Sequence, residues 1–217
     1  MIVDTGGDAC ESLCPMGSLR STISRKKPAA TVILLFAASL LLTGCGGSLY
    51  RVKPVVQPTG PLEGGRAAAA GGIGLRARAL LRDEESQELF ESNLPLAGLL
   101  PVRVELSNEG GAELALKRLR FRLRGTGGRN WKPVSTKQTA ARILAANAVT
   151  LYNPNARKRF EEALGRHAFD LKTPLAPRER RRGLLFFQTP DKRAVEAGGE
   201  LMLTLEGLEQ PLALRLD

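Results

Sequence analysis

Near the C-terminus leucine recurs at every second position: Leu201, Leu203 and Leu205, then Gly207, then Leu212, Leu214 and Leu216. A period of two lines one face of an extended strand with apolar side chains and leaves the other face to water, a pattern that suits no helix. The same spacing recurs earlier. Leu75, Ala77, Ala79 and Leu81 alternate with Arg76, Arg78, Leu80 and Arg82, and Val102, Val104 and Leu106 stand with Arg103 and Glu105 outside. Leu114 and Leu116 are followed by Leu119, Phe121 and Leu123, so the phase slips by one, and a bulge or bend at Lys117-Arg118 is expected there. Asn108-Glu109-Gly110-Gly111 and Gly125 to Gly128 read as turns. Trp131 to Val134 is a short strand at most, and strand pattern resumes at Arg182–Gln188. Pro211 limits how the last strand begins.

The middle of the chain breaks this rhythm. Ser135-Thr136-Lys137-Gln138 matches a capping box, in which the Ser and Gln side chains satisfy backbone donors reciprocally. An Ala-rich stretch follows to about Val149, Asn153-Pro154-Asn155 interrupts it, and Arg157 to Leu164 reads as a second short helix ended by Gly165. Short strands between Gly, Asn and Pro turns, without strand–helix alternation, predict a mainly β protein of the sandwich type. The two helices over 135–166 form an insertion in that sandwich.

Two phrases carry a resemblance. Leu100-Pro101-Val102-Arg103-Val104-Glu105-Leu106-Ser107-Asn108 looks like a strand of the immunoglobulin-like domains of bacterial lipoproteins, with a V-x-V-x-L-x-N strand entering a turn. Leu175-Ala176-Pro177-Arg178-Glu179, leading to Gly183-Leu184-Leu185-Phe186-Phe187, looks like the Pro-turn and following strand of such domains. The resemblance covers residues 73–134 and 168–217 and implies an immunoglobulin-like β-sandwich domain over 73–217, with no particular activity, because fold does not fix function.

The N-terminal quarter is of another kind. Arg25-Lys26-Lys27 precede a run from Ala29 to Leu42, 14 residues without a charge. That length suits the ~7–15-residue apolar region of a signal peptide, whereas a membrane span needs ~20. The run closes on Leu42-Thr43-Gly44-Cys45, then Gly46 and Gly47. Together these resemble the type II signal peptide and lipobox of a bacterial lipoprotein. The resemblance implies that residues 1–44 form a signal helix and are removed, with Leu42, Thr43 and Gly44 as the cleavage motif. It implies lipidation, palmitate included, of Cys45, and so a membrane anchor in the cell envelope. Gly46 in place of Asp leans toward the outer membrane in a diderm organism. Asp4, Asp8 and Glu11 are unusual ahead of a basic n-region, so Met16 is the better start.

After such processing 173 of the 217 residues remain, with Cys45 the one cysteine. The domain therefore has no disulfide, and its stability rests on its core; a domain of ~150 residues buries roughly 68–70% of its unfolded surface. Pro54, Pro58 and Pro61 with Gly60, Gly64, Gly65, Gly71 and Gly72 make 45–72 read as a flexible tether, and Ala67 to Ala70 is too short for a helix on its own. Val52, Val55 and Val56 could instead pack on the domain.

Candidate chemistry is sparse. His167 is the one histidine, and a triad with Ser135 or Ser107 and Asp170 lacks any nucleophile elbow; a surface or helix-end histidine is the better reading. One His and no free thiol make no zinc site. Cys10 and Cys14 are two ligands short of one, and they fall ahead of Met16. Asp83-Glu84-Glu85 lacks calcium-loop spacing and reads as a solvated loop or helix start. No phosphate loop or dinucleotide fingerprint is present, so no cofactor is expected. Trp131 reads as a core or sheet-edge residue rather than a ligand platform.

Charge is the remaining signal. Removing residues 1–44 leaves 28 of the 32 basic and 19 of the 22 acidic residues, net +9. Basic clusters stand at Lys117-Arg118-Arg120-Arg122-Arg124, at Arg157-Lys158-Arg159 and at Arg178-Arg180-Arg181-Arg182. Nucleic acid is not expected as a partner, since stacking aromatics are few and the resemblance implies export. The last two clusters suit anionic lipid headgroups or envelope polymers, at about 1 kcal/mol per basic residue near such a surface. The expectation is a non-enzymatic, lipid-anchored envelope protein that binds a protein or a polyanionic envelope component. The alternatives are a structural subunit of a secretion or transport assembly and, behind it, a hydrolase using His167.

Overall fold

A computed structural model describes residues 52–55, 62–150, 153–196 and 198–216. The chain divides into Met1–Gly47 and Ser48–Asp217. Residues 1–44, the motif Leu42, Thr43 and Gly44, and Cys45 lie outside the described residues, as does Val56.

The described residues form eight antiparallel strands: β1 (Arg66–Ala70), β2 (Ile73–Ala79), β3 (Leu99–Asn108), β4 (Arg120–Arg124), β5 (Asn130–Val134), β6 (Arg180–Gln188), β7 (Met202–Glu206) and β8 (Leu212–Arg215). Among the described residues three α-helices join them: α1 (Asp83–Phe90), α2 (Thr136–Ala146) and α3 (Pro154–His167). The strand order is β1-β2-β3-β6-β5-β4-β7-β8. Only two register pairs, Leu123↔Trp131 and Arg124↔Asn130, hold β4 to β5, so the ladder is narrowest there. Its two ends come alongside each other with Arg66 and Ala67 facing Ala213 and Arg215, and the sheet is nearly closed.

The tether expected over 45–72 ends earlier than Ile73. Arg66–Ala70 pairs with β2 from Arg66↔Ala77 to Ala70↔Ile73. The two-residue turn Gly71-Gly72 has φ of 58° and 76°, the doubly positive geometry that matches strand twist and that side chains resist. Val52, for its part, packs on the domain, and Lys53 N–H donates to the Leu89 carbonyl at 3.0 Å.

The alternating residues face inward as their period requires. Leu75, Ala77, Leu100, Val102, Val104 and Leu106 meet Phe121, Leu123, Leu203, Leu205, Leu212 and Leu214 in one core. Each fully buried side chain of this size contributes about 1.5–3 kcal/mol. Trp131 packs partly buried against this core and its indole lies over Gly125. The phase slip at Lys117-Arg118 is a single turn of 3₁₀ helix, Leu116–Arg118, and not a bulge.

The insertion falls between β5 and β6, which pair directly through Val134↔Phe186. Ser135 and Gln138 form the expected capping box. α3 starts at Pro154 behind the Asn153 cap and runs through Gly165 to His167, beyond the stop expected at Gly165. Ala140, Ile143, Leu144, Phe160 and Leu164 cover Leu99, Leu184 and Phe186, joined by Phe90 from α1. The Asp83-Glu84-Glu85 run is the first turn of α1, where acidic side chains favour the positive end of the helix dipole. β3 and β6 thus have cores on both faces, and that second layer encloses a cavity against them.

Candidate functional site

The basic residues singled out by sequence do not form one free patch. Arg180 and Arg182 lie on the helix-facing side of β6, and both reach Glu105: Arg180 Nε at 3.5 Å, and Arg182 Nε in a shorter bond. Glu105 is 5% exposed, so a residue expected outside is buried beneath its arginines. Arg181 points the other way and donates to the carbonyls of Thr173 and Pro174 and to Glu179. With Glu105 buried and Arg182 half-buried, this pair is strong only while intact. Arg178 is exposed with φ 61°. On α3, Arg157 pairs with Glu161 at 2.9 Å and Lys158 with Glu162 at 3.9 Å, both one turn on, while Arg159 stands exposed.

His167 is a helix-end residue, but it is buried rather than on the surface. Its Nε2 lies 2.7 Å from the Lys53 carbonyl, and its ring meets Phe90 edge-on at 5.6 Å. The other members of the imagined triad are employed elsewhere. Ser135 caps α2, and Asp170 accepts the amides of Lys172 and Thr173, which, with the Thr173 side chain foremost, hold its carboxyl below the usual range.

What sequence reasoning missed is a cavity of about 400 Å³. Its walls are the Lys53–Val55 segment, α1, the end of α3 and the helix-facing side of β3 and β6. Leu62, Leu89 and Leu184 supply apolar surface, and Lys53, Glu88, Arg103, Arg166, His167 and Arg182 supply the polar groups. Such a size and mixture are those of small-ligand sites. Gly183 lies in the wall because the Ala168–Phe169 backbone crosses directly over it, with Phe169 N–H bonded to the Leu184 carbonyl at 2.9 Å. That crossing fixes where His167 and Arg166 leave α3. Burial first, then the neighbouring Arg78, pulls the Arg103 guanidinium below its ordinary value. One sequence signal bears on this face: Arg103-x-Glu105 on β3 and Arg180-x-Arg182 on β6 share the period of two that puts all four on one side.

Among the described residues no cluster of His, Cys, Asp and Glu could hold a metal ion, and no helix is long and apolar enough to cross a membrane.

No protein-family model and no curated protein matches the chain. Two solved structures are similar to it. One, a conserved hypothetical protein from Bacillus anthracis, is 10% identical with a TM-score of 0.36, covering 70% of this chain and 92% of that one. The other, an uncharacterized β-sandwich protein from Clostridium difficile 630, is 11% identical with a TM-score of 0.33, covering 70% of this chain and 91% of that one.

Proposed function

We propose that this chain is a non-enzymatic, lipid-anchored protein of the cell envelope, held through Cys45 and binding an anionic envelope component. The anchor reading is supported by Leu42-Thr43-Gly44-Cys45 behind Arg25-Lys26-Lys27 and the uncharged run. The binding reading is carried by one observation: Arg159, Arg166 and Arg178 are exposed and have no ion pair among the described residues. The commitment of His167 to a backbone carbonyl supports a binding role over a hydrolytic one.

An immunoglobulin-like domain is the finer reading of the fold. Its support is the strand order, in which β2-β3-β6-β5 and β4-β7-β8 follow the A-B-E-D and C-F-G sheets of that fold, with β1 as an added edge.

The test has two arms in cells and on vesicles. Wild-type chain expressed in a diderm host is expected to incorporate an alkynyl fatty acid and pellet with membranes, and Cys45→Ala to do neither. The Cys45→Ala chain is then expected to sediment with anionic vesicles and not zwitterionic ones. Salt and the triple change of Arg159, Arg166 and Arg178 to Gln should weaken that sedimentation. Label on the Cys45→Ala chain, or vesicle binding indifferent to salt and charge, sinks the corresponding half.

A further inference from the structure

We propose that the cavity between α1, the end of α3 and the helix-facing side of β3 and β6 binds a small amphiphilic anion. Its ligand is a carboxylate or phosphate monoester with an aliphatic body, and Arg103 receives the head. This deepens the binding reading above and does not depend on the anchor.

Each carboxylate around Arg103 already has a cation. Glu85 holds Arg78 at 2.8 Å and Arg82 at 3.5 Å, Glu88 holds Lys53 at 3.0 Å, and Glu105 holds Arg180 and Arg182. Arg103 forms no hydrogen bond or ion pair among the described residues, although it is half-buried in the cavity wall. Its cross-strand neighbour is Arg78, whose buried Nε has no hydrogen-bond partner. Arg78 has Glu85, but Arg103 feels Glu85 and Glu88 only at a distance, and a guanidinium taken from water beside another without a direct partner opposes folding. Such groups persist where the partner arrives from outside.

The chemistry of that partner follows from the walls. A guanidinium fork matches the paired oxygens of a carboxylate or phosphate, and Arg166 at the rim adds a second cation. Leu62, Leu89 and Leu184 give the remainder of the ligand an apolar bed. An inorganic anion would leave that bed empty, and an uncharged lipid would leave Arg103 unpaired.

Isothermal titration calorimetry of the full chain with octanoate, octyl phosphate and 1-octanol tests this. At least one anion is expected to bind saturably at one site per chain, with octanol far weaker; which anion wins separates carboxylate from phosphate. Arg103→Gln is expected to weaken binding about tenfold or more, and Arg103→Lys less. The melting temperature of the Arg103→Gln chain should equal or exceed that of the wild type, since an uncompensated charge is gone. No saturable binding by either anion, octanol binding equally, or undiminished binding by Arg103→Gln overturns the proposal. So does an Arg103→Gln chain that melts well below the wild type or fails to fold, because Arg103 is then structural. Failure here leaves fatty-acid labelling at Cys45 untouched, and loss of that label leaves these titrations untouched.

Discussion

Asn108 Nδ2 donates to the Leu175 carbonyl at 3.1 Å, joining the end of β3 to a loop 67 positions away. The same amide reaches the carbonyls of Ala112 at 2.8 Å and Ala176 at 3.2 Å, and its Oδ1 accepts from Gly110 N–H at 3.1 Å. The Asn108 backbone adds two bonds, accepting from Arg178 N–H and donating to the Glu179 carbonyl. The V-x-V-x-L-x-N phrase and the Leu175–Glu179 phrase, read separately in the sequence, are one joint in the fold. The side chain is 1% exposed, so no water substitutes for it.

Asn108→Ala is therefore expected to cost about 2–4 kcal/mol, because several buried groups lose partners at once. Asn108→Asp should cost more at neutral pH, since it turns an acceptor toward three carbonyl oxygens. Urea unfolding midpoints of both variants check this. A midpoint within error of the wild type for Asn108→Ala shows that the joint is not needed.

Glu105 gives a second stability prediction. Its carboxylate is buried and holds Arg182 and Arg180, whose side chains are 17% and 48% exposed. Glu105→Gln leaves both cations without it. The expected loss is about 3 kcal/mol, the low end for breaking a buried pair, because Arg180 can turn to solvent. Restoring part of it with Arg182→Met in the same chain, measured as a double-mutant cycle, isolates the pair term. Additive losses rule out the coupling.

Much of this frame is legible in the sequence. The strands with large alternating residues, β2, β3, β7 and β8, declare their faces, and the Ser135–Gln138 capping box declares where α2 begins. β1 escapes because Ala67–Ala70 has no large side chain and no alternation; only the Gly71-Gly72 pair hints at its hairpin. The arginines of β6 look like a surface patch because their acceptors, Glu105 and the Thr173 and Pro174 carbonyls, lie far away in sequence or in the backbone. The cavity is illegible for the same reason. Lys53, Glu88, Arg103 and His167 are each ordinary until the helix layer folds over β3 and β6.

The loop that Arg181 clamps should report on pH. Asp170 is held below the usual carboxylate range by the Thr173 side chain and the Lys172 amide, and Glu179 by the Ala176 amide and then Arg181. Both folded values are depressed, so their contribution is full above the unfolded values near pH 4 and is lost as pH falls through the folded ones. Urea midpoints are expected to hold from pH 7 to about 5 and to drop below about 4. In Asp170→Asn with Glu179→Gln the drop should shrink. An identical acid profile in wild type and double variant places the acid sensitivity elsewhere.

Gly183 ties the fold to the cavity. A Cβ at this position would land on the Phe169 Cα and N, main-chain atoms that cannot rotate aside. The crossing segment is pinned by Phe169 N–H to the Leu184 carbonyl, and Phe169 itself packs edge-on against Phe121 at 5.9 Å in the inner core. Gly183→Ala must therefore push the Ala168–Phe169 segment off β6. The expected cost is about 1–3 kcal/mol, in the range of overpacking in a filled core. It should be accompanied by displacement of His167 from the Lys53 carbonyl, since His167 directly precedes the displaced segment. Hydrogen exchange separates the two effects: faster exchange at Phe169 N–H with the Val102 and Val104 amides still protected marks a local shift. A Gly183→Ala chain with wild-type stability and wild-type exchange at Phe169 shows that the crossing has room to spare, and that the cavity wall does not depend on it.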